Sequence, residues 1–529
     1  MAKVLVSDSL SKEGLDVLEQ AEGIEFDYKP GLSEDELAET IVGYEGLVIR
    51  SGSKVTAKVI TAADKLKVIG RAGIGVDNVD KAAASRRGII VMNTPTGNAV
   101  TTAEHALSLL FAVARKIAMA DATMKQGKWE KKKLSGRELT GKTLGVIGLG
   151  NIGRIVAERA IGLKMNVIAF DPVVTAEKAA ELGVALVTID ELFEKSDAIT
   201  AHTPLTNETR GIVNDAAIAR MKEGVLLVNA SRGGVMDEGA LLRGLESGKL
   251  GGVGLDVFTE EPPGLTDLVK HPKCTATPHL GASTEEAQTR VAVEIAEQVA
   301  SYLTTGTITN SINVPSVSRD MAPVLGPYTD LALRLGQFLG QVEQLSPRSI
   351  TVECAGELAN LTVAPVVNAA LAGVLGKFFE EPVNAVNAPV LARDRGIEVR
   401  ELRASLHPKY TTLLKLTITA EDGSLATVSG TLAADRSARL VRWGRYDMDA
   451  QLEGTNIVIL NEDKPGVIGT IGSLLGENSV NISRMQMGLD AKAGQAASVW
   501  ALDSQPSDAV LEKIRGSKAV NKAYCVTLG

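Results

Sequence analysis

Short apolar runs recur along the first 280 residues, and polar, glycine-rich or helix-period segments separate them. Val4–Val6, Gly46–Arg50 and Leu66–Gly70 read as buried strands, the last leading straight to Arg71. Ser11 to Leu18 has the spacing of a helix. The alternation resumes with Leu144–Ile147, Asn166–Phe170, Ala198–Ala201, Val225–Asn229, Gly252–Asp256 and Thr275–Thr277. Strands that are apolar throughout, with helices between them, predict parallel sheets covered on both faces. Two longer helical patterns stand out, at 99–119 and 284–303. The first is a candidate hinge or dimer element. The second can return the chain to the first lobe, which makes that lobe discontinuous.

The pattern changes after residue 304. Residues 304–320 read as a linker. Residues 321–450 mix a helical stretch, Leu331–Leu339, with strands at Ser349–Glu353 and Lys415–Thr419, and no motif there carries chemistry. The last 75 residues or so spell a β-α-β-β-α-β unit. It starts with the strand Asn456–Asn461 and the turn Glu462–Gly466, and ends with a strand at Ala523–Leu528.

The chemistry concentrates where Leu144–Ile147 runs into Gly148, Gly150 and Gly153, spaced G-x-G-x-x-G, and then into a helical pattern. An acid, Asp171, closes the next strand. Strand, glycine turn, helix and strand-end acid together form the context a dinucleotide fingerprint needs. Gly148 permits the tight turn, Gly150 lets the backbone approach a pyrophosphate, and Gly153 lets helix and strand pack closely. Asp171 can accept from both ribose hydroxyls and would repel a 2′-phosphate, which favours NAD over NADP. The fold class is therefore α/β, with two Rossmann-like doubly wound parallel-sheet lobes, then an α+β region and a ferredoxin-like unit.

Charge narrows the partners. The net charge is −8 and the pI about 5.5, against a broad nucleic-acid or anionic-membrane surface. An anionic substrate then needs a local cluster of cations. Arg50 and Arg71 stand at strand ends, where open α/β sheets bind ligands, and suit a carboxylate or phosphate. The loop 72–80 between them and the next element is glycine-rich without a Walker lysine, and its glycines are expected to open backbone N–H groups to a small anion. His105 reads as a packed or capping histidine, and the lysine run at 131–133 as a solvated face. Three dispersed cysteines argue against disulfides and zinc. The N-terminal apolar run is too short for a signal peptide, and 358–376 is interrupted by Asn360, Pro365 and Asn368. A soluble cytoplasmic protein is expected, without metal.

Hydride transfer to a nicotinamide needs a cation for the substrate carboxylate and reacting oxygen, a base for the hydroxyl proton, and a group that orients the base. Arg232, His279 and Glu261 can supply these, and all three follow short strands in the lobe that holds the glycine motif.

Residues 1–312 closely resemble the NAD-dependent D-2-hydroxyacid dehydrogenases. The segments that carry the resemblance are 148–153, 228–234, 255–262 and 277–283. Within that family, Ile49-Arg50-Ser51, the segment 70–80 and the C-terminal unit resemble the long members that oxidise 3-phospho-D-glycerate. The resemblance implies a discontinuous substrate lobe (1–97 plus 284–312), an NAD lobe (98–283), an intervening domain (313–450) and an ACT domain (454–529). It implies Arg232 on the substrate carboxylate, His279 as acid/base and Glu261 as its partner. Cofactor contacts carry over to Gly148, Gly150, Asn151, Ile152, Gly153, Asp171, Thr203, Ala230, Ser231, Arg232, Asp256, His279, Gly281 and Ala282. Substrate contacts carry over to Arg50, Arg71, Gly73, Ile74 and Lys131, with Lys131 on the phosphate. Asn461, Asp463 and Asn481 fall where relatives hold L-serine at a subunit interface, and a homodimer or homotetramer is implied. Two other readings stay open: a glyoxylate or hydroxypyruvate reductase, and an NAD-sensing corepressor-like binding protein.

Overall fold

The early apolar runs become buried parallel strands. In the computed structural model, which describes residues 1–529 except 316–320, 344, 380–381, 406–408 and 529, they form a five-stranded sheet. Its order is Ile24–Tyr28, Ala2–Val6, Gly46–Ile49, Val68–Arg71, Ile90–Asn93. The helix Glu285–Thr305 packs on one face of this sheet, although the second sheet intervenes in sequence. Its Val291, Ile295 and Val299 are buried against Val4, Val48, Val68 and Met92. The approach is close: a β-carbon at Gly70 would stand 2.5 Å from Val299. Beyond the helix, Asn313 continues the attachment, accepting from Val91 N at 2.9 Å.

The second sheet has seven parallel strands in the order Cys274–Ala276, Leu250–Leu255, Val225–Asn229, Ala198–Ala201, Thr143–Ile147, Asn166–Phe170, Ala185–Leu186. The order reverses at Thr143–Ile147, and crevices at such switch points, beyond the C-terminal strand ends, are where doubly wound sheets bind ligands. The helix Ala99–Arg115 crosses from the first lobe and packs on this sheet, with Leu109 and Val113 against Gly252 and Gly254.

The expected single helix over 99–119 is broken. Lys116 adopts φ 56°, ψ 37°, and a second helix, Ile117–Lys125, starts after it. No glycine or proline marks the break. The second helix buries no residue, so nothing on its surface holds it in line with the first.

The third sheet, Glu398–Ala404, Pro347–Gly356, Thr412–Ala420, Leu425–Leu432, Ala438–Trp443, Tyr446–Gln451, is antiparallel except for its first pair. The fourth is antiparallel, in the order Ile482–Asp490, Gln495–Leu502, Gly454–Glu462, Val520–Leu528, with helices Val467–Glu477 and Asp508–Arg515. That is the β-α-β-β-α-β order read from the pattern. The two sheets share a core around the helix Ala322–Val342, in which Leu335 and Phe338 join Val352, Leu416, Val499 and Val526. Part of the linker expected at 304–320 is the end of the helix Glu285–Thr305, and 316–320 lie outside the described residues. No helix among the described residues is long and apolar enough to cross a membrane.

Phe338 is fully buried and meets Trp443 edge to face, ring centroids 5.6 Å apart. Removing a buried aromatic loses both its transfer energy and the contacts around the cavity. Phe338→Ala should cost about 3–5 kcal/mol in urea unfolding.

Candidate active site

Backbone geometry explains the glycine fingerprint position by position. Gly148 has φ 90°, and a β-carbon there would lie 2.6 Å from the carbonyl oxygen of His202. A β-carbon at Gly153 would overlap the carbonyl of Gly148. Gly150 differs, because nothing lies within 4 Å of its β-carbon position. It is the N-cap of the helix Asn151–Gly162, and no side chain caps that end. Free N–H groups facing open space suit a pyrophosphate. Asp171 ties the next strand end to this loop. Its Oδ2 accepts from Leu149 N at 2.7 Å, and its Oδ1 from Val173 N at 2.8 Å. Ile152 is half-buried on the same helix. Asn151 Nδ2 donates across the lobes to Pro95 O at 3.0 Å. Thr203 Oγ1 is buried without a hydrogen-bond partner, a group that a bound cofactor can satisfy. These residues fit NAD.

Opposite, three guanidinium groups converge. Arg71 ends its strand largely buried, with Nε unpartnered. Burial, then the charges of Arg232 and Arg50, push its pKa down to about 10. Such crowding of like charge is relieved by a bound anion. Arg50 is oriented by Asp8, whose Oδ2 accepts from Arg50 N at 2.6 Å and Ser53 N at 3.0 Å. Arg232, from the other lobe, donates Nε–H to Asp77 Oδ2 at 2.8 Å. Burial works to raise the Asp77 pKa, but Arg232 outweighs it and holds the carboxyl below its usual value.

The loop glycines also accommodate the arginines. A β-carbon at Gly73 would overlap the Arg71 guanidinium, and one at Gly75 would overlap that of Arg232. The Gly73 N–H donates to Thr94 Oγ1 at 2.8 Å, and both glycines leave room for the arginine side chains. Ile74 sits beside them, its carbonyl accepting from Asn93 Nδ2. Lys131 lies in the exposed 3-10 turn Lys131–Lys133, and no hydrogen bond or ion pair among the described residues joins it to the arginines.

Between these halves sit His279 and Glu261. His279 Nδ1 is 2.8 Å from Glu261 Oε2, and Glu261 Oε1 accepts from Phe258 N at 3.0 Å. Glu261 therefore fixes the Nδ1–H tautomer and leaves Nε2 free to accept a proton. His279 has φ 55°, an uncommon backbone for a residue with a side chain. Its N–H is held by Asp256 O at 2.9 Å. Asp256 is fully buried, and its carboxylate accepts from Leu280 N at 2.7 Å, Gly281 N at 2.8 Å and Thr277 Oγ1 at 2.6 Å. Ala282 follows, half-buried. The Arg232 loop is braced by Asn229, whose Oδ1 accepts from Ser231 N and Oγ and whose Nδ2 donates to Arg232 O. Ala230 and Ser231 are buried in this turn. A β-carbon at Gly233 would overlap the carbonyl of Phe258, so the loops carrying Arg232 and Glu261 are in contact.

A cation cluster, an oriented imidazole and a dinucleotide loop at one cleft form the apparatus of a 2-hydroxyacid dehydrogenase. Residues 107–281 match the family described as D-isomer specific 2-hydroxyacid dehydrogenase, NAD binding domain, and residues 324–443 match the D-3-phosphoglycerate dehydrogenase intervening domain. D-3-phosphoglycerate dehydrogenase of Synechocystis is 41% identical over 529 residues, all of this chain and 95% of the relative. The chain belongs to the D-3-phosphoglycerate dehydrogenase family. The Archaeoglobus fulgidus member is 40% identical over 99% of this chain and its own full length. A solved glyoxylate reductase from Paecilomyes thermophila covers only 59% of this chain, at 29% identity and a TM-score of 0.55, while 98% of its own length is matched. The reductase likeness thus stops short of the C-terminal domains, and the dehydrogenase likeness does not. The protein is an NAD-dependent dehydrogenase that oxidises 3-phosphoglycerate in serine biosynthesis.

Asp77, Asp8, Asn229 and Thr94 support the site but carried no functional reading in the sequence. Only Asp77 offered a signal, since it stands in the glycine-rich loop itself. Because Gly150 has φ −72° and an open β-carbon position, Gly150→Val should fold normally. The added methyls would occupy the pyrophosphate space, so fluorescence titration should show NADH binding weakened by at least about tenfold, roughly 1.4 kcal/mol.

Proposed function

We propose that the cleft between the lobes oxidises C2 of 3-phospho-D-glycerate, with Arg232 on the substrate carboxylate and C2 oxygen, Arg50 and Arg71 on the phosphate, and His279 as the base. The observation that carries these roles is the His279–Glu261 hydrogen bond at 2.8 Å, on the same rim as the arginine cluster. Bound NAD supplies the hydride acceptor. His279 Nε2 takes the C2 hydroxyl proton as the C2 hydride leaves, and Glu261 stabilises the imidazolium that forms. Arg232 holds the oxygen that becomes the carbonyl. Asp77 takes Arg232 Nε–H and the Ser231 carbonyl takes one Nη1 hydrogen, leaving Nη2 to face the substrate. Closure of the lobes about the crossings at 97–99 and 283–285 excludes water.

L-serine regulates through the C-terminal unit. Asn461 lies at the end of its strand opposite Ala496, whereas Asn481 N bonds Asp503, next to the Thr455–Leu502 pair. Six residues of strand separate these ends, about 20 Å. One chain therefore cannot bring Asn461, Asp463 and Asn481 to one ligand, and a second copy must supply the other end. The exposed edge strand Ile482–Asp490, with Met485, Met487 and Leu489 outward, suits such pairing in a homodimer or homotetramer. Unpaired Cys274, Cys354 and Cys525 suit the reducing cytoplasm.

His279→Ala should lower kcat by about two to four orders of magnitude in steady-state assays, the span for losing a general acid/base. Wild-type turnover would remove His279 from the chemistry. In the reverse direction, NADH oxidation should strongly favour phosphohydroxypyruvate over hydroxypyruvate, and added L-serine should slow it. Equal rates would remove the phosphate role of Arg50 and Arg71, and indifference to serine would remove the regulatory role.

A further inference from the structure

His105 lies one turn into the interlobe helix Ala99–Arg115, largely buried, and the reaction as described makes no use of it. Its Nε2 stands 3.1 Å from Asp256 Oδ1 and 3.1 Å from Thr277 Oγ1. The proton positions follow from the partners. Thr277 has one hydroxyl hydrogen, and at 2.6 Å it goes to Asp256 Oδ1. The Asp256 carboxylate has none to give. Burial works to raise its pKa, yet the hydrogen bonds from His105, Thr277 and Leu280 keep it below the usual carboxylate value. His105 Nε2 must therefore be the donor.

Asp256 is the anchor of the His279 loop. Its carboxylate receives Leu280 N and Gly281 N, and its carbonyl receives His279 N. The segment 278–281 thus makes three backbone hydrogen bonds to one buried residue, and His279 adopts its left-handed backbone there. The same helix meets the loop a second time, one turn earlier, where Thr102 Oγ1 lies 2.9 Å from Asn98 O and 3.0 Å from Gly281 O and shares its one hydrogen between them. Thr101 then meets Thr284 at the return crossing.

We propose that His105 is a positioning residue for the reaction: from the interlobe helix it donates Nε2–H to Asp256 and so fixes the carboxylate that presents His279. This rests on the assignment of His279 as the base. Without the His105 donor, Asp256 is a buried carboxylate with one fewer hydrogen bond, and its protonated form gains ground. A protonated Asp256 cannot accept at every oxygen site, so the loop loses an N–H bond and the imidazole shifts. A misplacement on the order of 1 Å at a reacting group costs up to about a hundredfold in rate.

His105→Leu and His105→Gln separate this role from packing. Leucine fills the space without a donor, while glutamine offers an amide N–H at similar reach. Expected for His105→Leu is a kcat lowered about tenfold to a hundredfold, with KM for 3-phosphoglycerate and NADH affinity within about threefold of wild type. His105→Gln should recover most of that kcat. Wild-type kcat in His105→Leu overturns the proposal, as does an equal loss in both variants, or a loss that lies in KM and NADH affinity instead of kcat. If His105→Leu does not fold, His105→Asn, whose amide is too short to reach, is compared with His105→Gln, and equal kcat overturns the proposal. His279→Ala is assayed alongside. Full activity there removes the assignment of the base, whereas its loss beside an unaffected His105→Leu removes only the role of His105.

Discussion

Three guanidinium groups from two lobes share one cleft with too little negative charge to neutralise them. Much of the local structure follows from that. Arg71 is buried beside Arg50 and Arg232, so its charge is costly until an anion arrives. The loop 72–80 gives up side chains at Gly73 and Gly75 because the arginines fill that space. Asp8 spends its carboxylate on backbone N–H groups to hold the turn after Arg50. Asp77 crosses from the first lobe to Arg232 in the second, so this ion pair within the cluster is also a link between lobes. In a chain of net charge −8, this cleft concentrates cations against the global charge, as a polyanionic ligand requires.

The opposite wall is ruled by a buried anion. Asp256 closes the strand Leu250–Leu255 and receives hydrogen bonds from the loop that begins after Cys274–Ala276. Adjacent parallel strands place their C-terminal loops side by side, so the loops bearing Arg232, Glu261 and His279 come from neighbouring strands. Gly233 lets two of these loops touch at Phe258. Precise placement of Glu261 against His279 thus depends on backbone contacts between loops, not only on the two side chains.

Strands such as Val4–Val6, Leu144–Ile147 and Val225–Asn229 were readable because they are apolar on both faces, whereas Ile24–Tyr28, half exposed and carrying Glu25 and Asp27, was not. The fingerprint was readable because Gly148 and Gly153 meet backbone and steric constraints that no other residue satisfies as well, while Gly150 keeps the space before the helix open. Other features left no trace. The break at Lys116 lacks a glycine or proline, and it follows from what the second helix fails to bury. The Arg232–Asp77 pair joins residues 155 apart, and the Asp256–His105 bond residues 151 apart. Neither partner's local pattern specifies the other. The packing of arginine side chains over Gly73 and Gly75 left no trace for the same reason, since only the fold shows which side chain passes over a glycine.

Among the described residues, the C-terminal half meets the first lobe around Val386, which joins the core beside Val4 and Met92, and at two polar contacts. Asn384 Nδ2 donates to Gly88 O at 3.0 Å, just before the strand Ile90–Asn93, and Asp394 stands 3.9 Å from Arg86. Within that half the coupling is tight, because the third and fourth sheets bury a common core around the helix Ala322–Val342. A displacement of the last sheet therefore bears first on the intervening sheet, and Asn384 and Asp394 of that region meet the first lobe. A ligand touching both Asn461 and Asn481 must bridge two copies, since one chain holds them at opposite ends of a strand. Its binding is then linked to association of those copies, and the linkage is reciprocal. Any such effector acts first on the assembly, and reaches the cleft only through the shared core and the narrow seam at Gly88.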